Sequence, residues 1–283
     1  MAHLAILAKR ALTPTEEIHE AVVLIEGGQI VSASTRADSR VPPDARRIDA
    51  GDATIVPGFV DLHVHGAGGH DVMEATPSAL ETVSRALAHG GTTSFLATTV
   101  TADPERICKS VAGIATVIAA QAGALGRGIP RSEILGIHLE GPFISRVRRG
   151  VHPEPWIAQA APGLLRRFLE AAQGKVRILT LAPELPGALE LVDIARAAGL
   201  IVSLGHTDAT YEQALAAIAR GATHAAHVFN AMRPFSHRET GVIGAILTSP
   251  EVKAELIADG VHVDAAAMRV LLAAKGANGV DLV

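Results

Sequence analysis

The chain of 283 residues has one cysteine, Cys108, so no disulfide can close within it and a reducing compartment suits it. Cys108 falls in a stretch of helical pattern and reads as a packing residue. Aromatic residues make up only 3%, and 25 Lys and Arg are outnumbered by 29 Asp and Glu, for a formal net charge of −4. Basic residues that neither dominate nor alternate with aromatics leave no footprint for nucleic acid, which favours small-molecule work. No membrane span is predicted. The most apolar helical stretch, Val111 to Leu125, is interrupted by Thr116 and Gln121 and falls short of the roughly 20 residues a bilayer crossing needs. The N-terminus has no basic segment leading into a continuous apolar stretch, so no secretory signal is read and the cytoplasm is the expected location. Also missing are a G-x-S-x-G elbow and a cysteine–histidine signature, the usual marks of a covalent nucleophile.

What the chain has in quantity is aliphatic residues, as expected of a parallel sheet buried on both faces. From Leu4 to about Pro57 the pattern is of short β segments. Among them, Ala21 to Glu26 and Gln29 to Ser32 flank Gly27-Gly28, a pair that permits the positive φ of a tight hairpin. Residues 1–54 are therefore expected to form part of a small β-sandwich-type domain. After Pro57-Gly58 the rhythm changes. Strands are predicted at Ile55 to Val64, Thr92 to Val100, Ile134 to Phe143, Val176 to Ala182, Leu200 to His206, Ala222 to Phe229 and Ala254 to Val263. Between them fall helices such as Pro77 to His89, Pro104 to Ala122, Leu164 to Gln173, Ala188 to Ala198, Tyr211 to Arg220 and Ala265 to Lys275, with Pro or Asp starts and Gly stops. Seven β/α units in series predict an α/β fold, a (β/α)8 TIM-like barrel over residues 55–283. Gly279 to Val283 reads as the opening of an eighth, incomplete closing strand, and the expectation is of a stretch from a longer protein.

Ligand-type residues stand where strands meet their loops. His63-Val64-His65 follows the first barrel run, and residues at i and i+2 of a strand share a face. Glu140, His206 and His227 close later runs. Barrel strand ends converge on one rim, so these five residues are expected to gather around a metal. Four imidazoles and a carboxylate form a set preferred by zinc and tolerated by iron, manganese or cobalt. Since a carboxylate can bridge, one or two divalent ions are expected. His138 and His224 read as structural or supporting groups. His3, His19, His70 and His89 read as surface or loop residues.

The runs Pro57-Gly-Phe-Val-Asp-Leu-His-Val-His-Gly66, His138-Leu-Glu-Gly-Pro-Phe143, Gly205-His-Thr207, His227-Val-Phe-Asn-Ala-Met232 and Asp259-Gly-Val-His-Val263 together resemble the N-acetylglucosamine-6-phosphate deacetylases of the amidohydrolase superfamily. The resemblance covers nearly the whole chain, and the second and fourth motifs are its specific part. It implies hydrolysis of the acetamide of N-acetylglucosamine 6-phosphate to glucosamine 6-phosphate and acetate by metal-activated water. By the same resemblance, His152 is a catalytic and substrate-binding loop histidine, although Arg149 stands where the family's lysine precedes Gly150. Arg238 and His262 become a phosphate-binding pair, helped by the backbone around Asn230 and Ala231. A homodimer is implied, with Arg238 near the neighbouring active site. His237 is a weaker candidate for the phosphate pocket, and Arg146, Arg148 and Arg149 form a basic run that can steer an anionic sugar. The family's general-base aspartate is expected just beyond Val283. Asp281, at a mid-strand position, is not expected to replace it. Two alternatives stand beside this reading: an amidohydrolase acting on a cyclic amide or N-acyl amino acid, and a non-catalytic metal- or sugar-phosphate-binding fragment.

Overall fold

A computed structural model describes residues 3–121 and 130–283. Contacts divide the chain into two compact units, Met1–Phe59 and Val60–Val283.

In the first unit, β1 (His3–Leu12), β2 (Glu17–Glu26), β3 (Gln29–Thr35), β4 (Arg46–Asp49) and β5 (Thr54–Ile55) form one five-stranded sheet in the order β3-β2-β1-β4, with β5 also on β1. The expected sandwich-type domain thus takes the form of a single mixed sheet within these residues. β1 and β2 pair antiparallel, whereas β4 and β5 run parallel to β1. Gly27 and Gly28 supply the left-handed turn between β2 and β3, with φ of 58° and 85°.

The second unit is the barrel. Its strands are β6 (Phe59–Val64), β9 (Thr92–Thr99), β10 (Glu133–Glu140), β11 (Val176–Leu181), β12 (Ile201–Leu204), β13 (Ala222–Ala225), β14 (Lys253–Leu256) and β15 (Val280–Leu282); a two-residue pair, β7 (Gly66–Ala67) and β8 (His70–Asp71), follows β6. The eight run β15-β14-β13-β12-β11-β10-β9-β6, and the ladders from β9 to β15 are parallel. Helices α1 (Pro77–His89), α2 (Pro104–Gln121), α3 (Pro162–Ala171), α4 (Ala188–Ala197), α5 (Tyr211–Ala219), α6 (Gly241–Thr248) and α7 (Ala265–Lys275) connect them. Local chemistry sets their starts: Thr76 caps α1 ahead of Pro77, Thr210 and Gln213 form a reciprocal capping box on α5, and Asp264 caps α7. A continuous aliphatic core joins strands to helices, with Leu80, Ile107, Ile137, Leu165, Leu191, Val202, Ala217 and Ile246 all buried. None of the described helices is long and apolar enough to cross a membrane. Residues 122 to 125 of the apolar stretch, and hence the end of the helix expected to Ala122, lie outside the described residues.

Five strand boundaries differ from expectation by two residues or more; β10 ends at Glu140, ahead of the left-handed Gly141, and β12 ends at Leu204, two residues before His206. The run from Ile55 to Val64 divides at Pro57-Gly58, where proline has no N–H to give to a ladder, so Thr54–Ile55 joins β1 and Phe59–Val64 joins the barrel. β13 stops at Ala225 because His227, Phe229 and Ala231 adopt left-handed φ of 32°, 80° and 50°. β14 stops at Leu256, after which the Asp259 carboxylate turns the chain by accepting hydrogen bonds from the backbone N–H groups of Val261 and His262.

Candidate metal centre

Glu140 ends β10 with its side chain pointing into the barrel, 2% exposed, and five imidazoles surround it. Its Oε1 lies 3.2 Å from His63 Nε2, 3.1 Å from His206 Nε2 and 2.9 Å from His227 Nε2. Its Oε2 lies 3.3 Å from His65 Nε2 and 3.2 Å from His152 Nε2. The curled parallel sheet thus brings β6, β10 and the loops after β10, β12 and β13 to one point. Both loop histidines of the cluster, His206 and His227, have left-handed backbones, φ 47° and 32°. For non-glycine residues that conformation costs energy and persists only where the surroundings enforce it, a pattern common at functional sites.

For His65, His206 and His152 the other ring nitrogen identifies whether Nε2 carries a proton. His65 Nδ1 faces the Thr98 carbonyl at 3.1 Å and His206 Nδ1 faces the Arg148 carbonyl at 3.0 Å. A carbonyl only accepts, so both Nδ1 atoms donate, and the neutral ring then presents a bare Nε2 lone pair to Glu140. His152 is the reverse. Its Nδ1 accepts from the Thr101 backbone N–H at 3.1 Å, with the Thr101 hydroxyl at 2.8 Å, so Nε2 carries the proton. His138 has no free nitrogen, since Nδ1 donates to the Leu62 carbonyl and Nε2 accepts from the Thr180 hydroxyl at 2.7 Å. With His63 and Glu255 it forms a further group whose ligand-type atoms lie within reach of one another.

The crowding of imidazoles calls for positive charge. His63 Nε2 and His65 Nε2 are 3.2 Å apart, and His206 Nε2 and His227 Nε2 are 3.1 Å apart; two lone pairs at that range repel unless a cation or a proton lies with them. Burial opposes charging of His63, yet Glu140 and Glu255 overcome it and push its pKa up to about 10. Burial likewise opposes ionisation of Glu140, but His63 and the close contacts with His152, His206 and His227 hold its carboxyl well below the usual range. Burial lowers His152, against the pull of Glu140, and lowers His138 to about 3. Nitrogen donors aimed at an ionised carboxylate fit a divalent cation of borderline softness. The ligand-type atoms of His63, Glu140 and His227, and those of Glu140, His152 and His206, lie close enough to share an ion.

The proposed phosphate residues sit apart from this cluster. Arg238 is exposed and lines a cavity of about 350 Å³ with Thr210, Tyr211, Arg233 and Gly241. His262 is exposed, and its Nδ1 meets Asp259 at 2.7 Å, an arrangement in which the bonds from His262 hold the Asp259 carboxyl down at about 2. No hydrogen bond or ion pair joins Arg238 to His262 among the described residues. The buried Nδ2 of Asn230 has no partner among the described residues, and the Ala231 carbonyl accepts from the Thr207 N–H at 3.1 Å. His237 is exposed. Of the basic run, Arg148 is committed to Asp208 at 2.8 Å, while Arg146 and Arg149 pair with Glu154.

Sequence reasoning passed over four groups. Glu255, on β14 and wholly buried, meets His63 Nδ1 at 2.9 Å. Asp208, two residues after His206, ties Arg148 and Arg233 together, and Glu184 accepts from Thr207 Oγ1 and the Asp208 N–H. Thr101 sets the His152 tautomer. Only position relative to a strand end could have pointed to them, and Glu255 and Asp208 both look like ordinary surface acids in sequence. Asp281 pairs in register with Glu255 on β15, and its carboxylate meets His224 at 3.1 Å, not the ring of ligands.

The sequence pattern of the amidohydrolase family matches residues 54–283. An N-acetylglucosamine-6-phosphate deacetylase of Bacillus subtilis (strain 168) is 38% identical over 273 residues, 96% of this chain and 67% of that protein. One from Vibrio furnissii is 40% identical over 263 residues, 93% of this chain and 64% of its own length. The solved structure of the D267A mutant of the Mycobacterium smegmatis enzyme, in complex with N-acetyl-D-glucosamine-6-phosphate, superposes with a TM-score of 0.90 at 37% identity, covering 100% of this chain and 70% of that one. The chain spans about two thirds of the length of these curated relatives.

Proposed function

Because the chain belongs to the amidohydrolase family, we propose that it serves the hydrolysis of N-acetylglucosamine 6-phosphate to glucosamine 6-phosphate and acetate. The observation that carries this reading is the opposition of tautomers around Glu140. His65 and His206 offer lone pairs, as ligands must, whereas His152 offers an N–H, as a group that binds a carbonyl must. His63, His65, Glu140, His206 and His227 hold one or two divalent ions, zinc by their donor chemistry. Such an ion supplies Lewis acidity toward water and toward the amide carbonyl.

The chain's own residues do the rest. His152 Nε2–H donates to the acetamide oxygen and so favours the charge that gathers there as the carbonyl carbon becomes tetrahedral. Its low basicity in the buried site keeps it a neutral donor. Asn230 offers its unspent amide N–H to the sugar phosphate, with the backbone at Ala231 beside it. Arg238 and His262 bind the phosphate, Arg238 by a forked guanidinium that reaches across a homodimer interface. A phosphorylated substrate does not leave the cell unaided, which agrees with a cytoplasmic enzyme.

Acetate release from N-acetylglucosamine 6-phosphate, measured with the complete protein before and after chelation and on zinc restoration, tests the proposal. Turnover should vanish with the metal and return with it. Activity that survives complete chelation, or that ignores the 6-phosphate, overturns the reading.

A further inference from the structure

We propose that Glu255 is the positioning residue that aims His63 at the metal centre, an inference that rests on the metal reading above. His65 and His206 are oriented by neutral backbone carbonyls, those of Thr98 and Arg148. His63 differs. Its Nδ1 donates at 2.9 Å to Glu255 Oε2, a carboxylate with no solvent exposure, supplied by a strand that contributes no other residue to the ligand ring. Its β14 neighbours Ala254 and Leu256 point to the other face of the strand, while the Glu255 carboxylate faces the barrel interior within reach of His63 and His138. A buried anion without compensation is costly. His63 is its hydrogen-bond partner, and Glu255 Oε1 has none among the described residues.

The geometry explains why a charged acceptor stands here. Donation to Glu255 directs the His63 Nε2 toward Glu140 and His65, and a carboxylate behind an imidazole raises its strength as a donor beyond what a carbonyl can. The backbone fixes Glu255 in turn, because its carbonyl accepts from the Val228 N–H at 2.8 Å, directly after the ligand His227. Glu255 therefore sits behind two ligand-bearing segments that are far apart in sequence.

The test is a zinc titration of wild-type, Glu255→Gln and Glu255→Ala proteins against a competing chelator, paired with NMR of the 15N-labelled histidine rings. Removing such a partner should weaken the tightest site that includes His63 about 10- to 100-fold. The strongly hydrogen-bonded His63 Nδ1–H signal should vanish in Glu255→Ala and move upfield in Glu255→Gln, with the loss of affinity smaller for Gln. If Glu255→Ala does not fold, Glu255→Gln decides by the same two measurements. Zinc affinity and an Nδ1–H signal that match wild type in the folded variant would overturn the inference. A wild-type protein that takes up no zinc would instead sink the metal reading itself, while zinc uptake indifferent to Glu255 would sink only the positioning role.

Discussion

One N–H, on one face of one ring, separates the role of His152 from those of His65 and His206 although all three lie within 3.3 Å of the same carboxylate. His152→Ala should therefore lower kcat by about 10²- to 10³-fold, in line with loss of a single oxyanion donor, while zinc content by elemental analysis stays at the wild-type level. His206→Asn should do the opposite first, losing zinc and then activity. His138 carries a pH dependence. Its pKa falls from 6.5 to about 3 on folding, so between those values the unfolded chain binds the extra proton. The stability this group contributes is present above pH 6.5 and is lost as pH falls toward 3. Urea unfolding at pH 7 and pH 5 should show a smaller acid-induced loss for His138→Asn than for wild type. Equal losses would mean that the ring is hydrated and titrates normally.

Among the elements, strands and the loops after them share the candidate ligands, and a glycine at one strand end sets how closely the chain can turn. Gly141 has φ of 75°, and a Cβ there would meet Thr101 Oγ1 at 2.3 Å. Gly141→Ala thus pays both for a left-handed alanine, about 1–2 kcal/mol, and for overpacking, about 1–3 kcal/mol. Because Thr101 holds His152, we expect a lower melting temperature together with a fall in kcat, and an unchanged kcat would release Thr101 from that task. The candidate positions at strand ends stood out in sequence because aliphatic runs stop abruptly at His65, Glu140 and His206, and the structure brings those three side chains together. The later strands were overextended, since Val228, Phe229 and Val261 to Val263 continue an apolar pattern after the backbone has left the ladder for left-handed and capped turns. Helix α6 escaped because Gly241–Thr248 is buried nearly throughout and has no polar face to mark a helical period. Glu255 escaped for a related reason: alternation cannot tell an acid that faces a barrel interior from one that faces water.

For the whole molecule, the proposed dimer makes a prediction that no single protomer can satisfy. Arg238→Ala should raise KM for the phosphorylated sugar and leave a neutral amide substrate largely unaffected. If Arg238 serves the neighbouring site, mixing Arg238→Ala protomers, assayed at low phosphorylated substrate where they turn over poorly, with inactive Glu140→Gln protomers pairs an intact metal centre with an intact arginine. Random exchange should then restore about a quarter of wild-type specific activity at saturating enzyme association, and no recovery would confine Arg238 to its own subunit. The ring of donors has a mechanical side as well. His63, Glu140, His206 and His227 arrive from four different staves of the barrel, and the ion they would share would act as the hub of a wheel, adding a central tie to the backbone ladders and side-chain packing that join the staves. Pulling out that hub should loosen β6, β10, β12 and β13 in concert, visible as faster amide exchange at the carboxyl ends of all four strands while their opposite ends stay protected.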